Sequence, residues 1–220
     1  CQHKCPFCWT AAAAELIKKQ AKPEAIAWMN DEILEAMLAR FKEMGGSIAA
    51  VMSEGEPLIG INYLFIKRLL SACKKLELGV LLFTNGQELT GEKIGEMRSL
   101  NGKTSFSISV NAGSPEAYDR AQGRPGAYEK VMKNVDAWKA YGILASDEGM
   151  RRLSIHTVIS SESTDGEMQI IQKLVKEKLG NVPWTVTTMG IAGDARLNTH
   201  IQPKDSEEVA QLIKEYRTGP

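Results

Sequence analysis

The feature that most constrains the fold of this chain is the regular alternation of short apolar strands with amphipathic helices beyond residue 30. Apolar side chains recur at helical spacing after Asn30 and Asp31, which can cap a helix. Strands that alternate with helices in this way indicate parallel βα units within one α/β domain. The predicted strands cover residues 48–52, 80–84, 105–111, 153–159 and 182–188, and the predicted helices cover 31–44, 64–76, 92–100, 128–138, 164–175 and 203–216.

Five strands at this spacing fit two architectures. One is an open doubly wound sheet, and the other is a parallel barrel whose first strand is missing before Cys1. Both architectures bind their ligands at the carboxyl ends of the strands. Polar segments follow three of the predicted strands: Glu54 to Pro57, Thr84 to Gly86, and Ser109 with Asn111. The pattern therefore predicts one shared site at this edge of the sheet.

Three of the four cysteines lie within the first eight residues, as Cys1, Cys5 and Cys8. This C-x3-C-x2-C spacing is not that of a disulfide framework, and it brings three thiols onto one short loop. Three thiolates could hold an iron-sulfur cluster with one iron left open, or a zinc ion completed by His3 or a distant ligand. The spacing alone does not distinguish an iron-sulfur cluster from a zinc site.

The composition narrows the classes of function. The chain has 220 residues, with 27 basic and 27 acidic side chains and a formal net charge of zero. A chain of this length can bury a core without a metal, so a metal site would be functional. Phosphate binding over a broad face needs clustered Lys and Arg, so nucleic acid is not expected as a partner. A bilayer span needs roughly 20 apolar residues, and no membrane segment is predicted.

The cysteine loop, written C-x3-C-x-Phe-C with Phe7 before the third cysteine, resembles the signature of the radical S-adenosylmethionine (SAM) enzymes. Four later segments are also similar to that family. They are Ser53 to Leu58, Leu82 to Gly86, Ser107 to Tyr128 and Gly190 to Arg196. The pattern is nearest to the molybdenum-cofactor, pyrroloquinoline-quinone and peptide-maturase branches. The resemblance implies a partial (β/α)6 barrel, with its first strand missing or truncated before Cys1.

By the same resemblance, residues 1–200 form the barrel, and residues 201–220 form a helix that leads into a further carboxy-terminal domain. Cys1, Cys5 and Cys8 would hold a [4Fe-4S] cluster. SAM bound to it would be cleaved to a 5′-deoxyadenosyl radical that abstracts a substrate hydrogen. The implied SAM contacts are Phe7 near the adenine, Gly55, Glu56 and Pro57 at the amino group, and Ser109 or Asn111 at the ribose. Strand periodicity agrees, because Ser105, Ser107, Ser109 and Asn111 share one face, predicted to line the barrel.

Two positions depart from the family pattern. Glu54 stands where a glycine is usual, and Gln122 stands where relatives often carry Arg or His. We therefore also consider Arg120 and Arg124 for the SAM carboxylate.

Three positions receive structural interpretations. Cys73 lies on an apolar helical stripe and is predicted to be a core thiol. His156, in a predicted strand, is interpreted as a hydrogen-bonded structural residue rather than a substrate group. Thr164 and Glu167 have the spacing of a helix capping box.

The partners implied are a small-molecule or peptide substrate and a low-potential electron donor, either a flavodoxin or a ferredoxin. An oxygen-sensitive cluster implies a reducing compartment, so the chain is expected in the cytoplasm. Three alternatives remain. They are a tRNA-base-modifying radical SAM enzyme, a non-catalytic zinc or iron-sulfur binding module, and a simple electron carrier, which would need a fourth cysteine.

Overall fold

The computed structural model describes residues 30–52, 55–144, 146–147, 150–163 and 166–188, together with the single residues 207, 210, 211 and 214. The helices are α1 (Asp31–Glu43), α2 (Gly60–Lys75), α3 (Gly91–Leu100), α4 (Pro115–Gln122), α5 (Ala127–Ala140) and α6 (Glu167–Glu177). The strands are β1 (Ile48–Val51), β2 (Gly79–Thr84), β3 (Thr104–Ser109), β4 (Ser146–Asp147), β5 (Met150–Arg151), β6 (Leu153–Ile159) and β7 (Trp184–Thr188).

Five of these strands form a parallel sheet in the order β1-β2-β3-β6-β7, and β4 and β5 form a separate antiparallel pair. The order in the sheet follows the order along the chain. Parallel crossovers are right-handed, so a sheet that grows in one direction carries all its crossover helices on one face. A doubly wound sheet instead reverses its strand order. The topology therefore confirms the barrel-type α/β fold and excludes the doubly wound alternative.

Alternating burial along the strands distinguishes the two faces of this sheet. Along β6, Leu153, Ile155 and Thr157 are buried, whereas Ser154 and His156 are only half-buried. The buried positions belong to the core that packs beneath the helices. The half-buried positions line the opposite face, which we call the inner face. The strand register gives this face eight members on the central strands, of which Ser105 and Ser107 are buried: Leu81, Phe83, Ser105, Ser107, Ser109, Ser154, His156 and Val158.

The prediction of a serine face on β3 is thus correct. Phe106 and Ile108 enter the core on the helix side, and Ser105, Ser107 and Ser109 lie on the inner face. The strand ends at Ser109, so Asn111 lies in the loop that follows rather than in the strand.

Local sequence explains most helix boundaries. Asn30 caps α1 by accepting a hydrogen bond from Ile33 N at 2.8 Å. Ser114 caps α4, which has Pro115 at its first position and ends at Gly123 with φ of 60°. A side-chain acceptor at the start and a left-handed glycine at the end satisfy the free backbone groups of a short helix.

Other boundaries differ from the prediction. Helix α2 begins four residues earlier than expected, at Gly60, whose φ of 53° is a left-handed value that a glycine tolerates. Strand β7 begins at Trp184, after Pro183, which has no N–H to donate to a sheet. The capping box was wrong for Glu167, because α6 begins at that residue and its N-cap is Gly166. Thr164 lies outside the described residues.

The core confirms the interpretation of Cys73, which is fully buried on α2 beside Leu69 and Leu70. In the stretch predicted as the final helix, the described residues Glu207, Ala210, Gln211 and Lys214 are helical. Among the described helices, none combines the length and apolarity that crossing a bilayer requires.

Candidate active site

The first part of the site joins the carboxyl ends of β1 and β2. Glu56 follows β1, and its side chain is 3% exposed. One carboxylate oxygen accepts a hydrogen bond from the Thr84 hydroxyl. The same oxygen accepts a second hydrogen bond from Leu58 N, at 3.3 Å. The other oxygen accepts from Asn85 N at 3.0 Å. The carboxylate therefore ties the loop after β1 to the end of β2.

Burial raises the pKa of Glu56 above its ordinary value of 4.5, because desolvation penalises the charged form. The three hydrogen bonds from Asn85, Thr84 and Leu58 oppose that shift without cancelling it. A cation that approached this carboxylate would favour its charged form.

The turn after β2 is fixed by its own polar groups. Thr84 Oγ1 accepts from Gly86 N at 3.2 Å, and Asn85 Oδ1 accepts from Gln87 N at 3.0 Å. Gly86 has φ of 77°, and a Cβ there would lie 3.0 Å from a methyl carbon of Ile108. Only glycine satisfies both conditions, so the predicted Thr-Asn-Gly segment is a rigid strand-end turn.

The second part of the site lies at the ends of β3 and β6. Ser109 is half-buried on the inner face. Asn111 is buried, and its side-chain oxygen accepts from Val158 N at 2.9 Å. The Asn111 carbonyl accepts from Ser163 Oγ at 2.7 Å. The Asn111 side chain is thus hydrogen-bonded to β6, whereas the Ser109 side chain lies on the inner face.

A contact that sequence reasoning missed fixes the loop after β3. Glu167, the first residue of α6, accepts hydrogen bonds from Gly113 N at 2.7 Å and from Ser114 N at 2.6 Å. Its other oxygen accepts from Ser114 Oγ at 2.5 Å. A Cβ on Gly113 would lie 2.6 Å from Ile170 Cβ, so only glycine allows α6 to approach this closely. The partners are 53 and 54 residues apart, and no local pattern signals the pairing.

Replacing Glu167 with alanine is expected to lower the free energy of unfolding by about 2 kcal/mol, because two backbone amides and one hydroxyl lose a charged acceptor. Urea denaturation of the purified chain measures this change. Glu177→Ala is the matched control, because Glu177 is an exposed carboxylate on the same helix. Equal midpoints for the two variants would contradict the role assigned to Glu167.

The structure brings several of the predicted site residues to one edge of the sheet. Gly55, Glu56 and Pro57 follow β1, and Ser109 and Asn111 lie at the end of β3. The other predicted residues, Cys1, Cys5, Phe7, Cys8 and Glu54, lie outside the described residues. Across the ranges between residues 30 and 188 that the structure describes, no three His, Cys, Asp or Glu side chains gather as a metal site.

A parallel βα sheet with its helices on one face, and with polar loops at its carboxyl edge, defines the core of a barrel-type enzyme. The family model described as the radical SAM superfamily matches residues 1–174 of the chain. The chain therefore belongs to the radical SAM superfamily, and it is an enzyme of that class.

Two curated relatives bear the name AdoMet-dependent heme synthase. The protein from Oleidesulfovibrio alaskensis is 25% identical over 185 residues, which cover 83% of this chain and 44% of the relative. The protein from Methanosarcina barkeri is 26% identical over 172 residues, which cover 78% of this chain and 45% of the relative. This chain thus spans less than half the length of these relatives.

Solved structures share the fold. SuiB from Streptococcus suis, bound to S-adenosylmethionine, matches with a TM-score of 0.67 at 18% identity, over 99% of this chain and 44% of SuiB. AdoMet-bound anSMEcpe matches with a TM-score of 0.62 at 20% identity, over 86% of this chain and 49% of that protein. At these identities the likeness supports the partial-barrel architecture alone.

Proposed function

We propose that this chain is the catalytic core of a radical SAM enzyme in which Cys1, Cys5 and Cys8 hold a [4Fe-4S] cluster. The observation that supports SAM binding is the buried Glu56 carboxylate, held by three donors at the same sheet edge as Ser109. When bound, the cluster and SAM together supply a 5′-deoxyadenosyl radical that abstracts hydrogen from a substrate. The described residues bind and orient SAM for that chemistry.

The proposed SAM contacts are those that the resemblance to the family implies. Glu56 balances the SAM ammonium, with Gly55 and Pro57 shaping the loop beside it. Ser109 is the ribose contact, because its hydroxyl lies on the inner face. Asn111 holds the end of β3 against β6 through Val158, so it positions Ser109. By the same resemblance, Phe7 would lie near the adenine.

For the substrate we propose a tetrapyrrole on the way to heme. Support comes from the two relatives named AdoMet-dependent heme synthase, which align with about four-fifths of this chain. A carboxy-terminal domain, reached through the helix predicted at residues 201–220, would complete the substrate site. A flavodoxin or a ferredoxin would deliver the electron.

The test is anaerobic reconstitution with iron and sulfide, followed by reduction with dithionite in the presence of SAM. Mass spectrometry then measures 5′-deoxyadenosine. We expect one cluster per chain and product only when both SAM and dithionite are present. A protein that carries zinc without iron, or that is fully loaded with iron and forms no 5′-deoxyadenosine, would contradict the proposal.

A further inference from the structure

His156 occupies the middle of β6 on the inner face of the sheet. Its backbone pairs with Ser109 on β3 and with Thr185 on β7. The imidazole therefore stands beside the serine to which we assign the ribose, at the same level of the sheet. A substrate that receives the radical chemistry must reach this level.

Two contacts hold the imidazole in one orientation. Nε2 lies 3.0 Å from Thr187 Oγ1 on β7. The ring also meets Phe83 of β2 edge to face, with centroids 6.4 Å apart and planes at 87°. Phe83 and His156 lie on either side of β3, opposite Ser107 and Ser109 respectively, and these small side chains leave room for the contact. The ring is thus preorganised.

The second ring nitrogen is available to a ligand. In the part of the chain that the structure describes, Nδ1 has no hydrogen-bond partner. It is also not one of the fully buried polar atoms that have no partner. It is therefore not completely buried, and it lies on the half-buried inner face. Burial lowers the pKa of His156 below 6.5, which favours a neutral ring before a ligand binds. The described side chains that touch the ring, Phe83 and Thr187, are uncharged.

We infer, in contrast to the structural role expected from the sequence, that His156 is a substrate contact that binds a carboxylate of the substrate through Nδ1, with Thr187 as its positioning residue. This inference rests on the proposed function and assigns its substrate site, because the side chains of tetrapyrroles carry carboxylates. A Thr187 hydroxyl that donates to Nε2 leaves the ring proton on Nδ1, from which it can be donated to the carboxylate.

The probe is metal-free protoporphyrin IX, which cannot bind histidine through iron. Its dimethyl ester is the matched control, because esterification removes both carboxylates. The chain has three histidines, so ¹⁵N-histidine spectra of wild type and His156→Ala assign the His156 signals. We expect protoporphyrin IX to shift the Nδ1 signal and to raise the pKa of His156, and the ester to do neither.

Variants separate a binding role from a structural one. Loss of a hydrogen bond to a charged group weakens binding, so His156→Ala is expected to raise the porphyrin Kd about 10-fold or more. His156→Gln keeps an amide donor and is expected to restore part of the affinity. Thr187→Val frees the ring and is expected to cause a smaller loss. An unchanged Kd in His156→Ala that still folds would overturn the inference.

The remaining outcomes distinguish a failure of this inference from a failure of the proposed function. A Nδ1 shift produced by SAM alone, or equally by acid and ester, would overturn the assignment to a substrate carboxylate. If 5′-deoxyadenosine forms but porphyrin leaves His156 unchanged, this inference fails while the radical SAM activity stands. If porphyrin shifts His156 but the loaded protein forms no 5′-deoxyadenosine, the proposed function fails and the carboxylate site stands.

Discussion

Replacing Cys5 with alanine is expected to reduce iron content and 5′-deoxyadenosine formation to background, whereas replacing Cys73 is expected to preserve both. A cysteine binds a metal as its thiolate. Cys73 is fully buried in the core, and burial raises the pKa of its thiol to about 11, so this thiol is protonated at neutral pH and is not expected to reach the cluster. Under the proposed function, Cys5 supplies one of only three cluster ligands, and no other cysteine can replace it.

Anaerobic reconstitution, iron analysis and mass spectrometry of the wild type and the two variants form the measurement. Cys73→Ala is the matched control, because it also removes one sulfur; it is expected to cost about 1 kcal/mol of stability, since the group removed is about the size of a methyl. A Cys5→Ala protein with full iron content would contradict the ligand assignment. Loss of iron from Cys73→Ala at unchanged folding would contradict it too.

Replacing Glu56 with alanine is expected to lower the free energy of unfolding by about 3 kcal/mol. The Thr84 hydroxyl and the amides of Leu58 and Asn85 would all lose their shared acceptor at a buried position. Glu56→Gln keeps the volume and one acceptor, so a smaller loss is expected. Under the proposed function, both variants also bind SAM more weakly, which isothermal titration of the reconstituted protein measures.

The pH dependence of stability tests the state of Glu56 directly. Below pH 4.5 the carboxyl is protonated in the folded and the unfolded chain. As the pH rises, the unfolded chain ionises first, because burial raises the pKa of Glu56 in the folded state. The free energy of unfolding of the wild type should therefore fall relative to Glu56→Gln between pH 4.5 and the folded-state pKa. Parallel curves for the two proteins from pH 4 to 8 would contradict a raised pKa.

Much of the fold follows from local sequence. Strands such as β2 and β6 are dense in apolar and β-branched residues between turns, so their predicted bounds lie within one residue of those observed. Gly60 shows where local reasoning fails, because a glycine with a left-handed φ resembles a loop residue although it begins α2. No local sequence pattern gives the order of the strands in the sheet. In the structure β6 pairs directly with β3, which fixes that order.

The parts of the site that belong to short sequence motifs could be predicted from the sequence. The segment at Glu56 and the strand end at Ser109 were predicted on the same edge, and the structure places them there. The partners of these residues could not be predicted. Glu167 reaches a loop more than 50 residues away, and Thr187 meets His156 only because β7 pairs with β6. Such contacts depend on how elements pack, which periodicity does not encode.

The contact between Glu167 and the start of α4 has a consequence for ligand selection. Barrel enzymes commonly bind phosphate groups through the free amides at helix amino termini beside the strand ends. Here the amides of Gly113 and Ser114 are already bonded to the protein's own carboxylate. A phosphorylated metabolite would meet a negative charge where other barrels offer it donors. We therefore expect this corner of the edge to disfavour phosphate esters, whereas SAM, the ligand of the proposed function, is a nucleoside without phosphate.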